Sequence, residues 1–160
     1  MPRVTHVKKA QKDNSVCKAG ESYYWWKFRY GGKHYSLTYP KRSQLTQSDF
    51  LSQMYDIEDE QLSKATECKT VEELQILIEE ATSELDNLSC EQDDKFQNMP
   101  EGLQYGPTGE LLEERSQGCL DMVSELEDID LEYDSETDGD KAEWLEGKIE
   151  EVAQISYQGS

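Results

Sequence analysis

Apolar residues recur along this chain with two periods, and the change from one to the other divides it. Between Tyr23 and Tyr39 the run YYWWKFRYGGKHYSLTY alternates with period 2 around Gly31-Gly32. That is the pattern of a β-hairpin whose two glycines take the positive φ of a type I′ turn. Pairing Tyr30 with Lys33 opposes Phe28 to Tyr35, Trp26 to Leu37 and Tyr24 to Tyr39 on one side. Trp25, Lys27, Arg29 and His34 fall on the other side, with Ser36 and Thr38. The first face is almost wholly apolar, and an isolated two-stranded hairpin is marginal in water. It is therefore expected to dock on the rest of the chain. Pro40 ends it. The polar, basic residues 1–20 precede it, as an arm or as a short strand with a faint alternation at Val4, His6 and Lys8.

Beyond Thr46 the period becomes helical. Thr46 and Asp49 have the spacing of a capping box, and Phe50, Leu51, Met54, Ile57, Leu62 and Ala65 form a stripe. A stronger element follows. Thr70 and Glu73 form a second capping box, and Val71, Leu74, Ile78, Ala81, Leu85 and Leu88 recur at the 3-4 spacing of a heptad seam. The connector NMPEGLQYGPTG leads to another seam at Leu112, Arg115, Cys119, Met122, Leu126, Ile129 and Tyr133, widened by Leu111, Leu120 and Val123. After the breaker YDSETDGD, Ala142, Leu145, Ile149 and Val152 share a last seam beside Trp144. Helices are expected near 47–66, 71–97, 109–131 and 140–156. Short connectors make neighbours antiparallel. The predicted fold is mainly α with a small β part: a basic aromatic hairpin module, 1–43, docked on an acidic antiparallel helical hairpin or bundle with heptad packing, 44–160.

Charge sharpens this division. The 160 residues carry a formal net charge of −19. Residues 1–43 hold ten Lys and Arg against Asp13 and Glu21, whereas 44–160 hold six against 33 acids. No apolar run is long enough for a membrane span, and MPRVTHVKKAQKD lacks the apolar core of a secretory signal. A cytoplasmic protein is expected, with Cys17, Cys68, Cys90 and Cys119 as free thiols.

Two surfaces are candidates for binding. Trp25, Lys27, Arg29 and His34 interleave rings with cations, as nucleic acid requires: cations neutralise phosphate and rings stack on bases. The same cations are open to neutralisation by the protein's own acids, or to a protein partner. On the second helix, Glu72, Glu73, Glu79, Glu80 and Glu84 read as one carboxylate row. Glu110, Glu113, Glu114, Asp121, Glu125, Glu127 and Asp128 read as another on the third. Such rows are a charged coiled-coil exterior, a docking face for a basic protein, or a mimic of DNA phosphates, whose spacing i, i+4 neighbours approach at about 6 Å.

Other chemistry is weakly represented. Asp134, Glu136, Asp138 and Gly139 begin like a calcium loop, but Leu145 stands where the bidentate Glu is needed, so an acidic turn is expected. His6, Cys17 and His34 lack paired zinc-ligand spacing. There is no phosphate-binding glycine loop or nucleophile motif, and Cys119 sits on an apolar seam. No catalytic residue, metal or cofactor is expected.

The runs VKKAQKD…KAGESYYWWKFRYGGKHYS and NMPEGLQ…TGELLEER resemble small proteins of tailed bacteriophages that share a YYWWKFRYGGK-type N-terminal module. The match covers about the first third well and the remainder loosely. The resemblance implies a phage origin and a bacterial host cytoplasm, and transfers no activity or functional residues. The expected function is non-enzymatic binding of a host protein with a basic surface, or of a nucleoprotein, through the acidic helices. Inhibition, DNA mimicry and an anti-defence or host-takeover role are its forms. Nucleic-acid binding through the hairpin and coiled-coil homo-oligomerisation are the alternatives.

Overall fold

The computed structural model describes residues 1–159. The chain is mainly α, with one small antiparallel sheet. It divides into two compact units, 1–53 and 54–160, with the boundary inside a helix.

The first unit carries a three-stranded sheet, β1 (Thr5–Val7), β2 (Tyr23–Lys27) and β3 (Lys33–Ser36), in that spatial order. The N-terminal arm thus supplies the strand that accompanies the hairpin. The hairpin register differs from the expected one. Tyr24 pairs with Ser36, Trp25 with Tyr35, Trp26 with His34 and Lys27 with Lys33. Phe28 to Gly32 form the connection, in place of a two-residue turn. Gly31 alone of the two glycines has positive φ, +138°, so the type I′ geometry is not formed. The Gln47 side-chain amide donates to the Tyr30 carbonyl at 3.1 Å, satisfying a loop group that a tight turn would have placed in the ladder. Each β2 residue gains a β3 partner three positions earlier. Because side chains alternate with period 2, that odd shift moves every β3 side chain to the opposite face.

A 3-10 turn, Arg42–Leu45, follows. Then comes α1 (Asp49–Asp56), capped by Ser48, whose hydroxyl accepts from Leu51 N–H at 3.4 Å. The expected cap, Thr46, instead accepts from Ser48 N–H in a tight local turn. The helix expected to run unbroken to 66 changes winding, opening into a π turn at Ile57–Gln61 and tightening to 3-10 at Leu62–Glu67. The sequence spacing explains the change. Phe50, Met54 and Ile57 are four and three apart, but the next buried residue, Leu62, is five further on. One i→i+5 turn restores Leu62 and Ala65 to the buried side.

The second unit is organised by α2 (Val71–Gln97) and α4 (Pro107–Glu127), with the short α3 (Glu101–Gln104) between them. Thr70 caps α2 by accepting from Glu73 N–H, and the Glu73 carboxylate reaches back to Lys69 N–H at 2.8 Å. The two helices pack along each other. Leu74, Ile78, Ala81, Leu85 and Leu88 are buried on α2, with Leu112, Cys119, Met122 and Leu126 on α4. Val123 is buried as expected, but Leu120 is exposed. The α4 helix stops at Glu127, short of 131, because Glu125, Glu127 and Asp128 crowd the negative end of its dipole. Ile129 and Tyr133 of the expected seam therefore lie beyond it. Tyr133 meets the Trp144 ring edge-on at 5.3 Å and donates to the Gly139 carbonyl. Asp140 caps α5 (Lys141–Gln154), which packs on the Leu62–Glu67 turn.

The segment after α5 returns to α4. Tyr157 N–H donates to the Glu58 carboxylate at 2.8 Å, and the Tyr157 ring lies against Gly118, where a Cβ would collide with it. Alanine is otherwise the better helix former by ~1 kcal/mol. Gly118→Ala is therefore expected to show little or no gain in urea unfolding, while the same change in a Tyr157→Ala background stabilises by roughly that amount. A coupling near 1 kcal/mol in the four-variant cycle checks the contact.

Candidate functional site

The corrected register redistributes the first candidate set. Trp25 and Lys27 share a face with Tyr35 and Lys33, whereas His34 lies opposite, its ring stacked on Trp26 at 5.5 Å and edge-on to Phe28 at 5.4 Å. Trp26 is only 4% exposed. On the same face His6 stacks on Tyr24 at 4.5 Å, with Tyr39 edge-on to Tyr24 at 5.6 Å. His34 thus belongs to an aromatic packing face, apart from Trp25 and Lys27. Arg29 lies in the connection, its guanidinium 5.4 Å from the Tyr30 ring centroid.

What the hairpin brings together at its tip is Trp25, Lys27, Arg29, Tyr30 and Lys33. The two lysines are direct cross-strand partners, and the Lys33 ammonium sits 4.4 Å above the Trp25 ring. Lys27, Arg29, Thr46 and Gln47 line an open hollow of about 470 Å³ beside the tip. Lys33 and Tyr30 were not among the expected site residues, because the predicted register used them as the closing pair of a turn.

The acids of α2 form two rows. Residues seven apart fall on one line of a helix, which gives Glu72, Glu79, Asp86 and Asp93 one row and Glu73, Glu80 and Glu84 a neighbouring one. Successive members of the first stand ~10.5 Å apart along the axis, wider than phosphates on a strand. Between the rows stands Ile76, 56% exposed, with Glu72 and Glu73 one turn before it and Glu79 and Glu80 one turn after. Beside it a groove of about 390 Å³ runs between α2 and the 60–68 segment, lined by Glu73, Ile76, Leu77 and Glu80 opposite Glu60, Lys64 and Glu67. The off-seam isoleucine flanked by acids at i±3 and i±4 is visible in the sequence. It adds nothing to the heptad, so a seam-based reading gives it no weight.

The acids of α4 are more engaged. Glu114, Gly118, Asp121 and Glu125 line a hollow of about 350 Å³ together with Ser156–Gly159, and Asp121 accepts from the Gln117 side-chain amide at 2.8 Å. In the 134–140 turn the carboxylates serve their own backbone. Asp138 accepts from Asp134 N–H at 2.7 Å, and Asp134 accepts from Glu136 N–H at 2.9 Å. Among the described residues no three of His, Cys, Asp and Glu gather in an arrangement able to hold a metal, and His6, Cys17 and His34 stand as separate features. No helix among them is long and apolar enough to cross a membrane.

Two of the thiols, Cys68 and Cys119, are held in the protonated form. Burial pushes the Cys119 thiol up to about 12, and it raises Cys68 too, with help from the Glu73 and Glu67 carboxylates. The Tyr157 phenol is likewise pushed up to about 12 by burial, with Glu114 adding to the rise. No protein-family model, curated protein or solved structure matches this chain.

These shifts have a sign. The unfolded chain releases the Cys119 and Tyr157 protons near 9.0 and 10.0, before the folded one does. Their stabilising effect is complete below pH 9 and is lost as pH rises towards 12. Urea midpoints should fall across that window, and less so in Tyr157→Phe. At pH 8 a thiol reagent should label exposed Cys90 first and leave Cys119 protected until unfolding.

Proposed function

We propose that the protein is a non-enzymatic binding protein, phage-encoded and active in the host cytoplasm, whose α2 face docks a host protein with a basic surface. Ile76, exposed among Glu72, Glu73, Glu79 and Glu80, carries this reading. Single apolar residues are common on a solvated surface, but Ile76 is continuous with Leu77 in the adjoining groove and so belongs to a larger apolar patch. An apolar residue ringed by charge is the arrangement of a binding hot spot, in which the rim excludes water from the centre. The adjoining groove extends the apolar floor through Leu77, and Glu60, Glu67 and Glu73 outnumber the one cation on its rim, Lys64. A basic segment bearing one apolar anchor complements it. Packing of the other α2 face against α4 holds these groups on a rigid element, so binding spends little entropy on ordering them.

Two forms of the reading are less well supported. Phosphate mimicry asks for a regular row at roughly 6–7 Å, and the α2 acids approach that spacing only in isolated pairs one helical turn apart, Glu80 with Glu84 and Glu91 with Asp94. Homo-oligomerisation through the seams has less to work with, because the α2 and α4 seams are buried against each other.

The test uses the full chain carrying a photo-crosslinker at position 79, exposed to bacterial lysate. One specific adduct is expected. It should be lost in Ile76→Ser and in the charge reversal Glu72→Lys with Glu80→Lys, and kept in Glu143→Lys on α5. An adduct indifferent to Ile76 and to the charges would remove the α2 face from the function.

A further inference from the structure

The hairpin tip has a composition that its own unit does not satisfy. Residues 1–53 carry ten Lys and Arg against Asp13, Glu21 and Asp49. Two of those acids are committed locally: Asp13 accepts from Ala19 N–H and Glu21 from Lys18 N–H, both at 2.8 Å. Asp49 stands in the first turn of α1, where the helix dipole favours it. None of the three is paired with a cation of the tip.

Against that background Lys27 and Lys33 are direct cross-strand partners at the last rung of the ladder. Like charges directly opposite each other destabilise a sheet, and an uncharged residue at either position would be the cheaper choice. Arg29 adds a third cation in the connection, and Tyr30 beside it is 74% exposed, the most open aromatic residue of the sheet region. Trp25 lies half-buried beneath the Lys33 ammonium. The tip therefore presents two aromatic–cation pairs, Arg29 with Tyr30 and Lys33 with Trp25, joined by the lysine rung.

We propose that this tip binds single-stranded nucleic acid. A phosphate between Lys27 and Lys33 removes the repulsion within the rung and draws the Lys33 ammonium off Trp25. The hollow lined by Lys27, Arg29, Thr46 and Gln47 receives the next phosphate. Tyr30, held by the Gln47 bond to its carbonyl, offers a ring face to an unpaired base. Duplex is the poorer fit. Reading it needs side chains aimed at base edges in a groove, whereas the tip offers ring faces and point charges. An acidic protein would satisfy the cations but leave Tyr30 without a role. The site lies in a different unit from the α2 face and does not depend on that reading.

Anisotropy of a labelled thymidine oligonucleotide, titrated with the full chain at about 50 mM salt, is the measurement. Binding is expected to weaken steeply with salt. Lys27→Gln or Lys33→Gln should each lower the log–log salt slope by roughly one, and Tyr30→Ala should weaken binding about tenfold at unchanged slope. Exposed Tyr30 and Lys27 can be changed without opening a core, and a urea midpoint that is unaltered, or raised where a rung lysine is neutralised, confirms that the variants fold. Ile76→Ser should bind the oligonucleotide normally, so loss of the α2 function and loss of this one are separable. Absence of binding at low salt overturns the proposal. Insensitivity to Tyr30→Ala does so as well, and so does equal competition by polyglutamate, which would make the tip a generic anion or acidic-protein site.

Discussion

The burial of the α2–α4 seam is the constraint on which the second unit depends. A chain with a net charge of −19 and only 35% hydrophobic residues resists compaction. Against that stand Leu74, Ile78, Leu85 and Leu88 facing Leu112, Met122 and Leu126. Burial of one such side chain contributes roughly 1.5–3 kcal/mol, whereas a like-charge i, i+4 pair on a helix surface costs about 0.2–0.5 kcal/mol. The seam outweighs the repulsion several times over, so the carboxylates can be carried. Because a helix is rigid, burying one face also fixes where the other points. The display of Glu72, Glu79 and Ile76 is a consequence of the packing on the opposite side.

An apolar seam alone leaves neighbouring registers close in energy. A polar rung within it does not. The Ser89 and Ser116 hydroxyls meet at 2.9 Å, and Ser89 also reaches the Ser116 carbonyl at 3.2 Å, across 27 residues of sequence. Sliding one helix by a turn would bury both hydroxyls without partners, at roughly 1–3 kcal/mol each. Gln92 lies one turn further along α2, 1% exposed, with its side-chain nitrogen unpaired among the described residues. These groups trade stability for a single register. The connector adds its own lock. Gln104 donates to the Phe96 carbonyl in the last turn of α2 and to the Met99 carbonyl just past it, and a Cβ on Gly109 would strike the Gln104 backbone.

Legibility in the sequence followed how local the deciding interaction is. The cap at Thr70 and the α2 seam are set by residues within a few positions of one another, and the helix lies where that pattern places it. The hairpin register is decided by partners farther away. Gly31-Gly32 alone suggests a tight turn, but β1 pairs with β2, Gln47 takes the Tyr30 carbonyl, and Trp26 stacks on His34. Together these select a longer loop. An odd difference in register exchanges faces, which parts His34 from Trp25 and sets Lys33 opposite Lys27. The winding change at Ile57–Gln61 is a middle case. The five-residue gap before Leu62 is plain in the sequence, yet only a helix that continues beyond it reveals why it is there.

Opposite charge in the two units bears on what a partner must be. The 1–53 unit carries a formal +7 and the remainder −26. A polyanion attracted to the first is repelled by the second, and a basic protein meets the converse. For a small isolated ligand of either sign the other unit is therefore a penalty, to the extent that salt, with a Debye length of about 8 Å under physiological conditions, leaves it unscreened. A nucleoprotein offers both signs at once. Since both units lie on one chain, engagement of either raises the effective concentration of the other at such a target. That advantage is absent for naked nucleic acid or a free basic protein, so under the proposed assignments the charge division itself acts as the source of specificity.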